Sequence, residues 1–261
     1  MSHEVHGLGS FYTSAPGVVA RRMLRAGLRR LWPDLRGLEV AGVGWASPYL
    51  GVWPSAARAI SLVPAPLAEA RPPAPCALIP ETVLPLADLS LDRILLVHAL
   101  EAVPNPAVLL RECWRVLRDD GRLLVVLPNR HGCWSLFDHT PFGQGRPWSR
   151  GQLGRLLESR LFRVSAMRPA LFVPPFSARW ALAGAGVWEG VGRAALPGLS
   201  GVVLADAVKD VLGVVPGAGL EAAMAGARSS VLRPIPGVSG HGMVGPAAPA
   251  TDTRGPVATP Q

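Results

Sequence analysis

The apolar positions of this chain follow two periods. From Pro16 to Trp32, Val19, Met23, Leu24, Leu28, Leu31 and Trp32 recur at helical spacing, and Arg21, Arg22, Arg25, Arg29 and Arg30 fall largely on the other side. The spacing predicts an amphipathic helix with a basic, solvated face. Short apolar runs follow: GLEVAGV, RAISLVP from Arg58, CALIP, DRILLVHAL from Asp92, and RLLVVLP from Arg122. Runs of this length read as strands, and the continuous ones suit a parallel sheet covered on both faces. A helix is expected after Pro48. The clearest helix is NPAVLLRECWRVLRDDG, with Asn105 as cap and Pro106 at the first helical position. Its buried stripe is Leu109, Leu110, Cys113, Val116 and Leu117, and Gly121 is its expected stop. SRGQLGRLLESRLF is helical with Ser149 as cap, RVSAMRPALFV is a strand, SARWALAGAGVWEGVGRAAL a helix, and GVVLADAVK a last strand.

Strands alternating with helices predict an α/β fold: a doubly wound, mostly parallel seven-stranded sheet with helices on both faces. The expected organisation is a helical extension over 1–36, the α/β domain over 37–225, and a Pro/Gly/Ser-rich tail over 226–261 without periodicity. Ligands in such folds bind at the carboxyl ends of the strands, near the switch point. The glycine turn at Gly42 and Gly44 lies at that place.

Composition sharpens this only in part. The chain of 261 residues has 49% hydrophobic positions and a formal charge of +8. Lys209 is its only lysine. Basicity carried by arginine beside abundant Ala, Gly and Pro reads first as residue-usage bias; it permits a nucleic-acid partner, but no nucleic-acid-binding motif is present. Cys76, Cys113 and Cys133 form no CxxC pair, which fits a reducing cytoplasm. No signal-peptide pattern and no apolar run of membrane-spanning length is found, so neither membrane nor leader is expected. His131, Cys133 and His139 match no compact zinc spacing, and no metal is expected.

The stretch LPLADLSLDRILLVHALEAVPNPAVLLRECWRVLRDDGRLLVVLPN, Leu84 to Asn129, resembles the class I S-adenosylmethionine-dependent methyltransferases, specifically their type 11 group. It has an Asp opening strand four, a strand-end loop, an Asn-Pro helix, a Gly and strand five, in order. The resemblance extends over roughly Leu38 to Phe162. It implies a Rossmann-like methyltransferase fold, S-adenosylmethionine as cofactor, and transfer of its methyl group to an acceptor that the residues do not name. On this resemblance Gly42, Gly44, Trp45, Glu81 and His98 are candidate cofactor contacts. The chain departs from the pattern at several places. Val40 stands at the acidic position before the glycines, with Glu39 one residue early, and Ala46 replaces a third glycine. Strand two ends in Val63 and Pro64, where the family places a ribose-binding carboxylate.

The loop NRHGCWSLFDHTPFGQGRPWSRGQL follows strand five at the expected ligand edge. His139 is a candidate base polarised by Asp138. Glu101, His131 and Arg146 are candidate acceptor contacts, and His98 reads equally as a satisfied core histidine. Trp45 either stacks on an adenosine or plugs its pocket. Asp92 reads as a cap of local backbone, and Arg111, Glu112 and Arg115 read as surface. Methyl transfer needs chiefly proximity and alignment, so a fixed catalytic signature is not required. The departures leave a second reading open: a methyltransferase-like binding or regulatory protein without the chemistry.

Overall fold

A computed structural model describes residues 7–70, 75–80, 83–137, 140–144, 148–174, 184–195 and 197–214. The expected tail, and the candidates Glu81, Asp138, His139 and Arg146, lie outside these residues.

Helix α1 (Leu8–Thr13) is followed at once by α2 (Ala15–Leu31), whose first turn is capped by Ser14 Oγ accepting from Gly17 N. The sheet strands are β1 (Glu39–Gly44), β2 (Arg58–Pro64), β3 (Ala77–Ile79), β4 (Leu91–Val97), β5 (Leu117–Pro128), β6 (Phe162–Ala170) and β7 (Val202–Lys209). Their spatial order is β3-β2-β1-β4-β5-β7-β6. Pairing is parallel from β3 through β5, and β7 runs antiparallel to both β5 and β6. The remaining helices are α3 (Ser47–Leu50), α4 (Pro106–Val116), α5 (Arg150–Glu158) and α6 (Ala185–Ala195). The mostly parallel seven-stranded sheet is therefore present.

Alternation along each strand divides the core into two layers. Val40, Leu95, Val97, Leu124 and Leu204 pack with α1 and α2. Ala41, Val43, Ile94, Leu96, Leu123 and Val125 pack with α4 and α5. Helix α2 is also pinned by Trp32 Nε1, which donates to buried Asp206 at 3.1 Å, while Asp206 pairs with Arg122.

Three expectations are corrected. The helix expected after Pro48 is present but starts one residue earlier, at Ser47, and is four residues long. Pro48 occupies its first turn, and Gly51 ends it. Helix α4 ends at Val116, not near Gly121. Leu117 pairs with Leu91 instead, and its carbonyl accepts from Lys209 Nζ at 2.8 Å, so sheet pairing wins over helix continuation. Glu112 and Arg115 are not simply surface. Glu112 accepts from Leu84 N, and Arg115 donates to Glu112, Asp88 and the carbonyls of Leu84 and Leu86. The pair ties the approach to β4 onto α4.

Asp92 also reaches beyond local backbone. It accepts from Glu39 N at 2.7 Å and from Arg118 at 2.6 Å, joining the start of β1 to β5. Cys113 packs in the α4 stripe as expected, and burial pushes its thiol well above the usual range.

Candidate functional site

The carboxyl ends of β1 and β4 meet where the topology places a ligand crevice. Gly44, at φ +85°, pairs with Val97. A Cβ on Gly44 would sit 2.2 Å from Val97 O and 3.0 Å from the Ala99 Cβ, so only glycine allows this approach. A Cβ on Gly42 would meet the Ala46 Cβ at 2.6 Å. Both glycines thus serve close packing of the strand-end turn. Trp45 N, the next main-chain donor, is taken by Val97 O at 2.7 Å.

Five elements converge over this turn. Helix α1 brings Phe11 and Tyr12, the β1 loop Trp45, α3 Tyr49, the end of β4 His98 and Glu101, and the β5 loop Trp134 and Phe142. The chain has only two tyrosines, and both are here. Tyr12 stacks on Trp45 with centroids 6.1 Å apart. Phe142 lies 5.1 Å from the His98 ring and 5.3 Å from Trp134. The Trp134 indole N–H donates to Val173 O.

A relay of polar groups runs through this aromatic cluster. Tyr49 OH donates to Tyr12 OH at 3.0 Å, and Tyr12 OH meets His98 Nε2 at 2.9 Å. His98 Nδ1 meets Glu101 Oε1 at 2.9 Å. With Tyr12 accepting from Tyr49, its own proton goes to Nε2, and the Nδ1–H tautomer donates to the carboxylate. Burial, then the charge of Tyr49 and its hydrogen bond, raises the Tyr12 hydroxyl well above its ordinary range. Tyr49 is raised too, chiefly by burial. Both hydroxyls therefore keep their protons at neutral pH and remain donors. His98 holds φ at +53°, a left-handed conformation costing a β-carbon residue about 1 kcal/mol. Such strain collects where a side chain must be aimed, here inward from the end of β4.

Of the candidates, the structure brings Gly42, Gly44, Trp45, His98 and Glu101 together. His131 is exposed on the β5 loop, its N–H on Asn129 Oδ1. Asn129 is buried and donates to the Gly198 and Ser200 carbonyls, fixing the base of that loop. Tyr12, Tyr49 and Phe142 were not candidates in the sequence. Their one sequence signal was scarcity: two tyrosines, one in the first helix and one just after the glycine turn.

The cofactor implied by the resemblance can be tested against this geometry. In its favour, three buried polar atoms beside the two strand-end turns have no partner: Trp45 Nε1, Ser47 Oγ and Glu101 Oε2. Unmade hydrogen bonds of this kind cost roughly 1–3 kcal/mol each and suit a bed for a polar ligand. Against it, Trp45, Ala99 and Leu100 are each 1% exposed, and Ala46 and Val63 are 0% exposed. Val63 and Pro64 offer no carboxylate to a ribose, and Trp45 plugs the turn with Tyr12 stacked on it. As folded here, the residues do not fit the cofactor.

Among the described residues no group of His, Cys, Asp and Glu is arranged to hold a metal, and no helix is long and apolar enough to cross a membrane.

Comparison with known proteins places the fold. Residues 38–125 match the Methyltransferase domain family. A solved SAM-dependent methyltransferase of Thermotoga maritima, described as a possible histamine N-methyltransferase, is 18% identical with TM-score 0.56, covering 77% of this chain and 94% of its own. The complex between the Haloferax volcanii Trm112 methyltransferase activator and the putative methyltransferase matches at 17% identity and TM-score 0.52, covering 75% of this chain and 93% of the other. Comparison with curated proteins gives no match. The β3-β2-β1-β4-β5-β7-β6 sheet and the match over residues 38–125 show a methyltransferase-like fold with a stretch similar to the Methyltransferase domain family, and S-adenosylmethionine is the cofactor which that similarity implies.

Proposed function

We propose that this methyltransferase is held closed by its own first helix, and that the cofactor bed opens when α1 leaves the ends of β1 and β4. One observation carries the reading. Tyr12, on a six-residue helix, stacks on Trp45 and bonds His98, the partner of Glu101, and Trp45 and Glu101 each carry an unpartnered buried polar atom. A short helix has little stability of its own, so its place depends on these contacts. The observed affinity for cofactor is then the intrinsic affinity reduced by the open fraction. The acceptor and the methylated atom stay unassigned. His131, His139, Asp138 and Arg146, on the loop after β5, are proposed as its surroundings. Three free cysteines support a cytoplasmic setting.

A specific observation favours a second reading, a family member without the chemistry: β2 ends in buried Val63 and Pro64, with no carboxylate. Calorimetry with S-adenosylmethionine separates the two. The closed-enzyme reading expects weak binding by the unaltered protein, tighter binding by Tyr12→Phe, and at least tenfold tighter binding by Tyr12→Ala. Absence of binding in all three folded proteins overturns it in favour of the second reading.

A further inference from the structure

Helix α2 gathers five arginines along one cleft, Arg21, Arg22, Arg25, Arg29 and Arg30. Arg58, Arg115, Arg118, Arg122 and Arg193 each reach a carboxylate. Among the described residues, Arg21, Arg22, Arg25, Arg29 and Arg30 reach none. Arg29 donates only to the Val52 carbonyl, at 3.2 Å. These five side chains line one cleft of about 610 Å³, with Val52 on its wall. A second cleft of about 450 Å³ shares Arg30 and adds Arg168 of β6 together with the paired Arg193 and Glu189 of α6. The basic track therefore runs off the helix onto the sheet edge.

We propose that this track binds the phosphodiester backbone of a nucleic acid. Five like charges on one face repel one another, and a polyanion laid along them relieves that repulsion. The guanidinium fork matches phosphate oxygens in pairs. From Arg21 to Arg30 the helix rises ~14 Å, so the five guanidinium groups line a continuous run along the cleft. Other polyanionic partners fit less well. A membrane surface needs large apolar groups beside the charges, and Val18 is the only exposed large hydrophobic on α2. An acidic protein partner needs buried anchors that this face does not offer.

The position adds meaning. Arg25 lies 3.8 Å from where a Gly51 Cβ would stand, and Arg21 is close enough to act electrostatically on Tyr12 and Tyr49. The track thus passes beside the turn after α3, next to the closed bed. Binding along it does not depend on cofactor binding or on methyl transfer.

The test is fluorescence anisotropy on the full chain with labelled 12-residue oligouridine and oligothymidine. Three to five phosphate contacts give a slope of log K against log salt of about −2 to −3.5. Arg22→Glu/Arg30→Glu changes two exposed side chains without touching the core. It is expected to weaken binding on the order of tenfold or more and to make the slope about 1.4 shallower. A thermal melt checks that the variant is folded. The proposal is overturned if the unaltered chain binds neither oligomer, or if the double variant binds as tightly as the parent. It is also overturned if polyglutamate or anionic phospholipid vesicles bind more tightly than the oligomers.

Discussion

The two faces of the sheet are built from different materials. The face under α4 and α5 is mainly aliphatic: Ile94, Leu96, Leu109, Leu110, Leu123 and Val125 pack together, with no buried side-chain relay among the described residues. The face under α1 and α2 holds Phe11, Tyr12, Trp32, Trp45, Tyr49, Trp53, Trp134 and Phe142, threaded by Tyr49, Tyr12, His98 and Glu101. The first face is redundant, because many methylenes share the work and no single geometry is required. The second is specific, because each hydroxyl and ring nitrogen must meet one partner, and the alternative is a buried unmade bond. A fold that keeps one ordinary face and one polar-aromatic face puts its capacity for change on the second.

Replacing residues on each face breaks or sharpens this contrast. The largest expected effect is on the aliphatic face. Leu110, 0% exposed in the middle of α4, is expected to cost about 2–5 kcal/mol on Leu110→Ala in denaturant unfolding, with cofactor affinity changed only through stability. A loss under about 1 kcal/mol would mean that this layer is not close-packed.

On the aromatic face, Tyr12→Phe keeps the ring and deprives His98 Nε2 of its partner. A loss of about 1–3 kcal/mol is expected, exceeding that of Tyr49→Phe, which leaves the Tyr12–His98 bond in place. Equal losses from the two variants would remove the directional relay.

A third effect lies at the edge of the aliphatic face. The Arg115 hydrogen bond, with help from Leu84 N, holds the Glu112 carboxyl below its ordinary value of 4.5. A folded-state value below the unfolded one gives stability that is full above about pH 5 and lost as pH falls through the lower value. Glu112→Gln is expected to cost about 1–2 kcal/mol at pH 7 and to flatten the acid limb of the stability profile. An acid limb identical to the parent's would exclude Glu112 as its source. The smallest effect belongs to the exposed Arg58–Glu39 pair, 2.7 Å apart with Arg58 60% exposed. Arg58→Ala is expected to move stability by no more than about 1 kcal/mol, less at high salt.

The same contrast explains what the sequence made legible. The segment from Leu84 to Asn129 writes its structure locally: an apolar run, an Asn-Pro cap, a 3.6-residue stripe and a second run. Neighbours in the chain are neighbours in the sheet, so β4, α4 and β5 are readable one after another. The other face is assembled from distant positions. Tyr12 and His98 are 86 positions apart, and Trp32 and Asp206 are 174 apart. Periodicity reports that such residues are buried but not whom they meet. The glycine turn illustrates the limit most clearly. Gly42 and Gly44 read as a cofactor cradle, and the geometry shows a further demand on them, close approach to Ala46 and Val97. The choice between a stacking and a plugging Trp45 was open in the sequence because α1, which decides it, lies more than thirty residues upstream.

The claim that α1 closes the cofactor bed is tested most directly by amide hydrogen exchange over residues 8–14, with and without saturating S-adenosylmethionine, in the unaltered chain. Displacement of α1 predicts faster exchange of these amides when the cofactor is added, together with faster exchange at Trp45 N as its bond to Val97 loosens. Unchanged or slower exchange at residues 8–14, with the cofactor demonstrably bound, would contradict it.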